Sequence, residues 1–70
     1  MTTIRQLHEG LKVLSQYQEP ETSVYANDRR IDAGDTPPQK MTEKDRDTLD
    51  ELGWMWDPIF NTWFIFTYTP

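Results

Sequence analysis

A chain of 70 residues with no cysteine and a single histidine has to hold itself together by packing alone. A domain this short buries only about 60% of the surface that its unfolded form exposes. Small domains usually make up the deficit with a disulfide, a metal or a partner. Disulfides are excluded, and His8 by itself cannot build a histidine or cysteine metal cluster. Dense aromatic packing or oligomerisation remains. The aromatics for it are Tyr17 and Tyr25 in the first half, and Trp54, Trp56, Phe60, Trp63, Phe64, Phe66 and Tyr68 crowded into the last. One domain spanning residues 1–70 is expected.

The first element reads as a helix from Ile4 to Gln18. Thr3 followed by Gln6 matches a capping box, and Pro20 stops the helix. Ile4, Leu7, Leu11 and Leu14 recur at helical spacing and define its expected core stripe. Gly10 inside the helix costs about 1 kcal/mol relative to alanine and allows close packing. A hairpin follows. If Asp28-Arg29 is a two-residue turn, Val24, Ala26, Ile31 and Ala33 share one face, with Tyr25, Arg30 and Asp32 on the other. The turn lacks the usual glycine. Gly34-Asp35-Thr36-Pro37-Pro38 is a loop.

A second helix is expected from Glu43 to Leu52, with Thr42 as N-cap, Asp45 at the third helical position and Gly53 just past the end. The chain then turns into an aromatic hairpin, Trp54-Met55-Trp56 and Trp63-Phe64-Ile65-Phe66, joined through Asp57 to Thr62 with Pro58 in the turn. If Trp56 pairs with Trp63, then Trp54, Trp56, Trp63 and Ile65 share one face. Met55, Phe64, Phe66 and Tyr68 share the other. The order αββαββ predicts an α+β fold: a four-stranded antiparallel sheet with both helices packed on one face.

Twelve acidic residues against seven basic ones give a net charge of −5. Such a chain is repelled by phosphate backbones, so direct nucleic-acid binding is not expected. It is attracted to basic surfaces, including those that themselves bind nucleic acid. At about 100° per residue, Glu43, Asp47, Asp50 and Glu51 cluster opposite Leu49 and Leu52. Glu43 and Asp47 lie ~6 Å apart along the axis, near the phosphate spacing of a nucleic-acid strand. The competing reading is an ordinary solvated helix face, which the interruptions by Lys44 and Arg46 favour. Asp28, Asp32 and Asp35 are possible additions to the acidic surface.

The aromatic hairpin offers a second surface. One sheet covered on one side needs only one apolar face, yet both faces here are apolar. Either every aromatic is packed into the core, or Trp54, Trp56 and Trp63 supply contact surface for a partner or a second copy. Catalysis has little support. His8 and Glu9 diverge, Ser15 and Ser23 lack a nucleophile context, and Asp32 and Asp35 have no pocket to separate their pKa values. No phosphate loop or spaced metal ligands occur, so no cofactor is expected. No segment is apolar enough for a membrane span, and the polar N-terminus lacks a signal peptide's apolar stretch.

Leu49-Asp50-Glu51-Leu52-Gly53-Trp54, followed by Asp57 and Trp63, resembles a pattern in small phage and prophage proteins. In these a helix ends in Leu-Gly-Trp and an acidic turn leads to another tryptophan. Leu11-Lys12-Val13-Leu14-Ser15 and Val24-Tyr25-Ala26 resemble them too. In size, acidity and lack of enzyme motifs the chain is similar to anti-CRISPR proteins, the class that includes acidic nucleic-acid mimics acting on type I Cascade complexes. That resemblance implies an inhibitor working in the cytoplasm of a bacterial host. Its partner would be a basic nucleic-acid-binding surface such as a Cascade subunit. The alternative is a phage accessory or adaptor module that binds a protein, or itself as a homodimer, through the aromatic hairpin.

Overall fold

A computed structural model describes residues 2–67, so Tyr68 lies outside the described residues. The elements are α1 (Ile4–Ser15), β1 (Val24–Ala26), β2 (Arg30–Ala33), a 3₁₀ turn (Pro38–Lys40), α2 (Glu43–Glu51), β3 (Met55–Asp57) and β4 (Thr62–Phe66). The expected αββαββ order holds. All pairings are antiparallel and the strand order is β1-β2-β4-β3. The second hairpin therefore enters the sheet through β4, which lies between β2 and β3.

The capping box forms at the start of α1. The Thr3 hydroxyl accepts from the Gln6 N–H at 3.1 Å, and the Gln6 side-chain oxygen accepts from the Thr3 N–H at 2.7 Å. α1 ends at Ser15, not Gln18. Gln16 and Tyr17 donate three residues back, to the carbonyls of Val13 and Leu14, which tightens the last turn. Tyr17 and Gln18 are then released to bond elsewhere, to Asp45 and Thr36.

The expected core stripe of α1 is corrected by the packing. Ile4 is 86% exposed and Leu11 37%. The buried residues are Gly10, Val13 and Leu14, with Leu7 and Tyr17 partly covered. Gly10, Val13, Leu14 and Tyr17 are themselves spaced i, i+3, i+4, i+7, one helix face rotated from the all-aliphatic one. The cause is Trp54. Its ring occupies the notch above Gly10, and its indole N–H donates to the Gln6 carbonyl at 3.0 Å.

α2 is capped by the Thr42 hydroxyl, which accepts from the Asp45 N–H at 3.1 Å. Gly53, at φ 91°, closes the other end. The Gly53 N–H reaches the Asp50 carbonyl and the Trp54 N–H reaches the Leu49 carbonyl. This is a Schellman arrangement, and it sets Trp54 against Leu49. Both are fully buried. Ile31, Ala33, Trp63 and Ile65 carry the helix-facing side of the sheet and pack with Val13, Leu14, Leu49, Leu52 and Met41.

Both hairpins keep their expected registers. Val24 faces Ala33 and Ala26 faces Ile31, so Asp28-Arg29 is the two-residue turn. The missing glycine is offset by Asn27, whose side-chain oxygen accepts from the N–H groups of Arg29 and Arg30. In the second hairpin Trp56 pairs with Trp63, their rings edge-to-face at 5.7 Å. Its turn is held by Asp57, which accepts from the N–H groups of Ile59 and Phe60, and by Asn61 at φ 54°.

Candidate functional site

The sequence points first to α2. Glu43, Asp47, Asp50 and Glu51 are all exposed, while Leu49 on the opposite side is buried. Arg46 does not neutralise the row. Its guanidinium turns back and donates to the carbonyls of Pro38 and Met41 at 2.9 and 3.0 Å. Asp45 is set apart by the Tyr17 hydroxyl, which donates to its carboxylate and accepts from the Thr42 N–H. Among the described residues, ion pairs occur only around Arg30. The four carboxylates of α2 thus form no ion pair, and the exposed Lys44 is the single cation left on their flank.

Their placement along the helix separates two contributions. Acidic residues in the first turn, Glu43 and Asp45, suit the positive end of the helix dipole. Asp50 and Glu51 stand at the negative end, and no basic residue lies in the last turn. Charges of the wrong sign there cost about 0.3–1 kcal/mol each.

The other three aspartates do not extend this row. Asp28 is exposed at the tip of the first hairpin and Asp35 in the loop after β2. Asp32 lies on the opposite face of the sheet, because it alternates with the helix-facing Ile31 and Ala33. There it is tied to Arg30 at 2.6 Å, and the same guanidinium reaches Asp57 at 3.1 Å. The hydrogen bonds that Arg30 donates to Asp32 raise its pKa further, against the opposing effect of burial. Burial pushes the Asp57 carboxyl upward, but the N–H groups of Ile59 and Phe60 and the Arg30 guanidinium outweigh it and hold Asp57 below the usual carboxylate range. Arg30 also lies over the Phe64 ring, 3.8 Å from its centroid. It covers Phe64 on the open face of the sheet, while Met55, Phe66 and Tyr25 on the same face stay exposed.

The tryptophans are not arranged as contact surface. Trp54 is 1% exposed and Trp63 4%, and their indole N–H groups are satisfied internally, by the carbonyls of Gln6 and Thr36. Trp56 is half-buried against Trp63. The exposed rings are Tyr25 on β1, Phe60 at the tip of the second hairpin and Phe66 at the end of β4. Sequence reasoning did not single these out as site residues. Tyr25 was legible from its register opposite Asp32, whereas Phe60 carried no signal beyond its position in a turn.

No protein-family model, curated protein or solved structure matches this chain. Among the described residues no helix is long and apolar enough to cross a membrane, and no three potential metal ligands converge.

Proposed function

We propose that the protein is a non-catalytic competitor that occupies a basic nucleic-acid-binding surface through the acidic flank of α2. The observation that carries this reading is the placement of Asp50 and Glu51. They sit exposed at the negative end of a helix dipole without a compensating cation, and so persist at a cost to stability. Local rules are most often broken where function requires it. A groove that attracts phosphate attracts this flank in the same way and speeds encounter. The tightest ionic cluster, Arg30 with Asp32 and Asp57, is already engaged in covering Phe64 and linking the hairpins, so occupancy is the mechanism favoured over chemistry. By the class resemblance, the target would be a type I CRISPR surveillance complex.

The test is competition for labelled target DNA by purified type I Cascade. The protein should displace DNA at low salt and lose potency steeply toward physiological salt, because exposed charges are screened over about 8–10 Å there. Reversing Asp47 and Asp50 together to lysine should abolish competition without unfolding the domain. A folded double variant with full potency refutes the acidic flank.

A further inference from the structure

We propose that the outer edge of β1 is a docking strand for an extended segment of a partner protein whose side chains alternate apolar and basic. This surface is separate from the acidic flank of α2 and stands or falls independently of it.

β1 is an edge strand, and each of its residues is exposed. The Asn27 N–H donates to the Arg30 carbonyl, and the register sets Tyr25 opposite Asp32. Antiparallel bonding alternates from there, so Tyr25 bonds toward β2 while the N–H and C=O groups of Val24 and Ala26 point outward. Natural edges are usually blunted by charge or proline. The opposite edge, β3, ends in Asp57-Pro58, whereas Val24-Tyr25-Ala26 carries neither charge nor proline and is blunted only by its three-residue length.

A groove lies on each side of this edge. On the helix side an apolar groove of about 280 Å³ is lined by Leu11, Leu14, Val24 and Ala33. It includes Leu11, which with Ile4 the rotation of α1 leaves outside the core. On the open side a groove of about 640 Å³ runs from Tyr25 past Asp32 and Asp35 to Phe60. Both grooves border Thr22 and Ser23, immediately before β1. Side chains alternate sides along a strand with period two. A strand added to β1 therefore places one set in the apolar groove and the other beside Tyr25. Strand addition of this kind takes affinity from main-chain bonds and specificity from the pockets.

Charge selects the occupant. Of the residues lining the open groove, Asp32 and Asp35 are acidic and Arg30 is the single cation, which Asp57 outside the groove also shares. The open groove is thus net negative, and the exposed Tyr25 ring adds a face for a lysine or arginine. Glu19 stands on the rim of the apolar groove.

The test uses the full chain labelled with ¹⁵N and a capped nonapeptide of alternating leucine and lysine. A peptide of the same composition with its leucines and lysines in two blocks is the control. The alternating peptide should bind below about 100 µM, shifting resonances of Val24 to Ala26, Leu11 and Ala33. The block peptide should bind much more weakly. Ala26→Pro removes an outward N–H without touching a bond to β2, and should weaken binding at least about tenfold with the remaining spectrum unchanged. If that variant does not fold, Val24→Lys tests the same edge by charge and should have the same effect. Equal binding of the two peptides, shifts centred on α2, undiminished affinity in the folded edge variant, or a dimer that the edge variant abolishes would each overturn the proposal.

Discussion

A Cβ atom added to Gly10 would stand 2.0 Å from the indole Nε1 of Trp54. The contact falls on the ring of a side chain that is itself buried and hydrogen-bonded to Gln6. Two effects therefore oppose each other at this position. In an exposed helix Gly→Ala gains about 1 kcal/mol, whereas forcing atoms into a packed core typically costs about 1–3 kcal/mol. Trp54 has no free direction, so the steric effect wins. Gly10→Ala should lower the melting temperature and shift the intrinsic tryptophan emission to the red. A higher melting temperature would show that the ring moves aside easily.

The rotation of α1 around this contact reverses an expectation about Leu11. A buried leucine costs about 2–5 kcal/mol on truncation to alanine, and the aliphatic stripe places Leu11 in the core. It is instead 37% exposed, while Leu14 is 2% exposed. Leu14→Ala should then cost the full core penalty, enough to unfold much of a domain with a total stability of about 5 kcal/mol at this size. Leu11→Ala should cost less than about 1 kcal/mol. Urea unfolding of the two variants side by side decides the matter, and equal losses would restore the original stripe.

Asp57 predicts a dependence on acidity. Its folded-state pKa lies below the ordinary carboxylate value, since two backbone N–H groups and Arg30 outweigh the effect of burial. A depressed carboxylate contributes stability that is fully present above its unfolded pKa of about 4 and is lost as pH falls through the lower folded value. The urea midpoint of the wild type should hold steady from neutrality down to about pH 5 and then decline. Asp57→Asn should start lower at neutral pH and decline less steeply on acidification. Parallel curves would show that the carboxylate charge is not what holds the turn.

Most of the fold was legible because its signals are local. Thr3 with Gln6, Thr42 with Asp45, Gly53, and the pairing of Trp56 with Trp63 are each written within a few residues, and each forms as read. What escaped is tertiary. Nothing near Gly10 announces that Trp54, 44 positions on, will claim its notch in place of the aliphatic stripe. Nor does the pattern of Arg30 reveal that it will lie over Phe64, although the strand register β2–β4 sets Asp32 beside that ring. The same limit applies to the site. The exposure of the α2 carboxylates follows from helical periodicity, and strand alternation already sets Asp32 on the face away from Ile31 and Ala33, but that Arg30 binds it there and joins it to Asp57 depends on how the two hairpins meet.

The acidic end of α2 provides a test in which stability and function move in opposite directions. Glu51 is the last helical residue and Asp50 the one before it, both exposed and facing the negative pole of the helix. Replacing either by lysine removes an unfavourable interaction and supplies a favourable one, for a gain of roughly 0.6–2 kcal/mol when both dipole terms are combined. A helix face kept only for solubility would accept that change with no functional loss. A face that stands in for phosphates would not, because reversal places a cation against a basic groove, and like charges across an interface cost several kcal/mol. Glu51→Lys should therefore melt higher than the wild type and compete more weakly for the target's nucleic-acid site, with the difference in potency largest at low salt. Lys44→Glu is the complementary variant, adding negative charge near the favourable end of the helix, and it should compete at least as well as the wild type. If Glu51→Lys is more stable and equally potent, the carboxylates of α2 are a solvated surface, and the partner-binding face must be sought on the open side of the sheet.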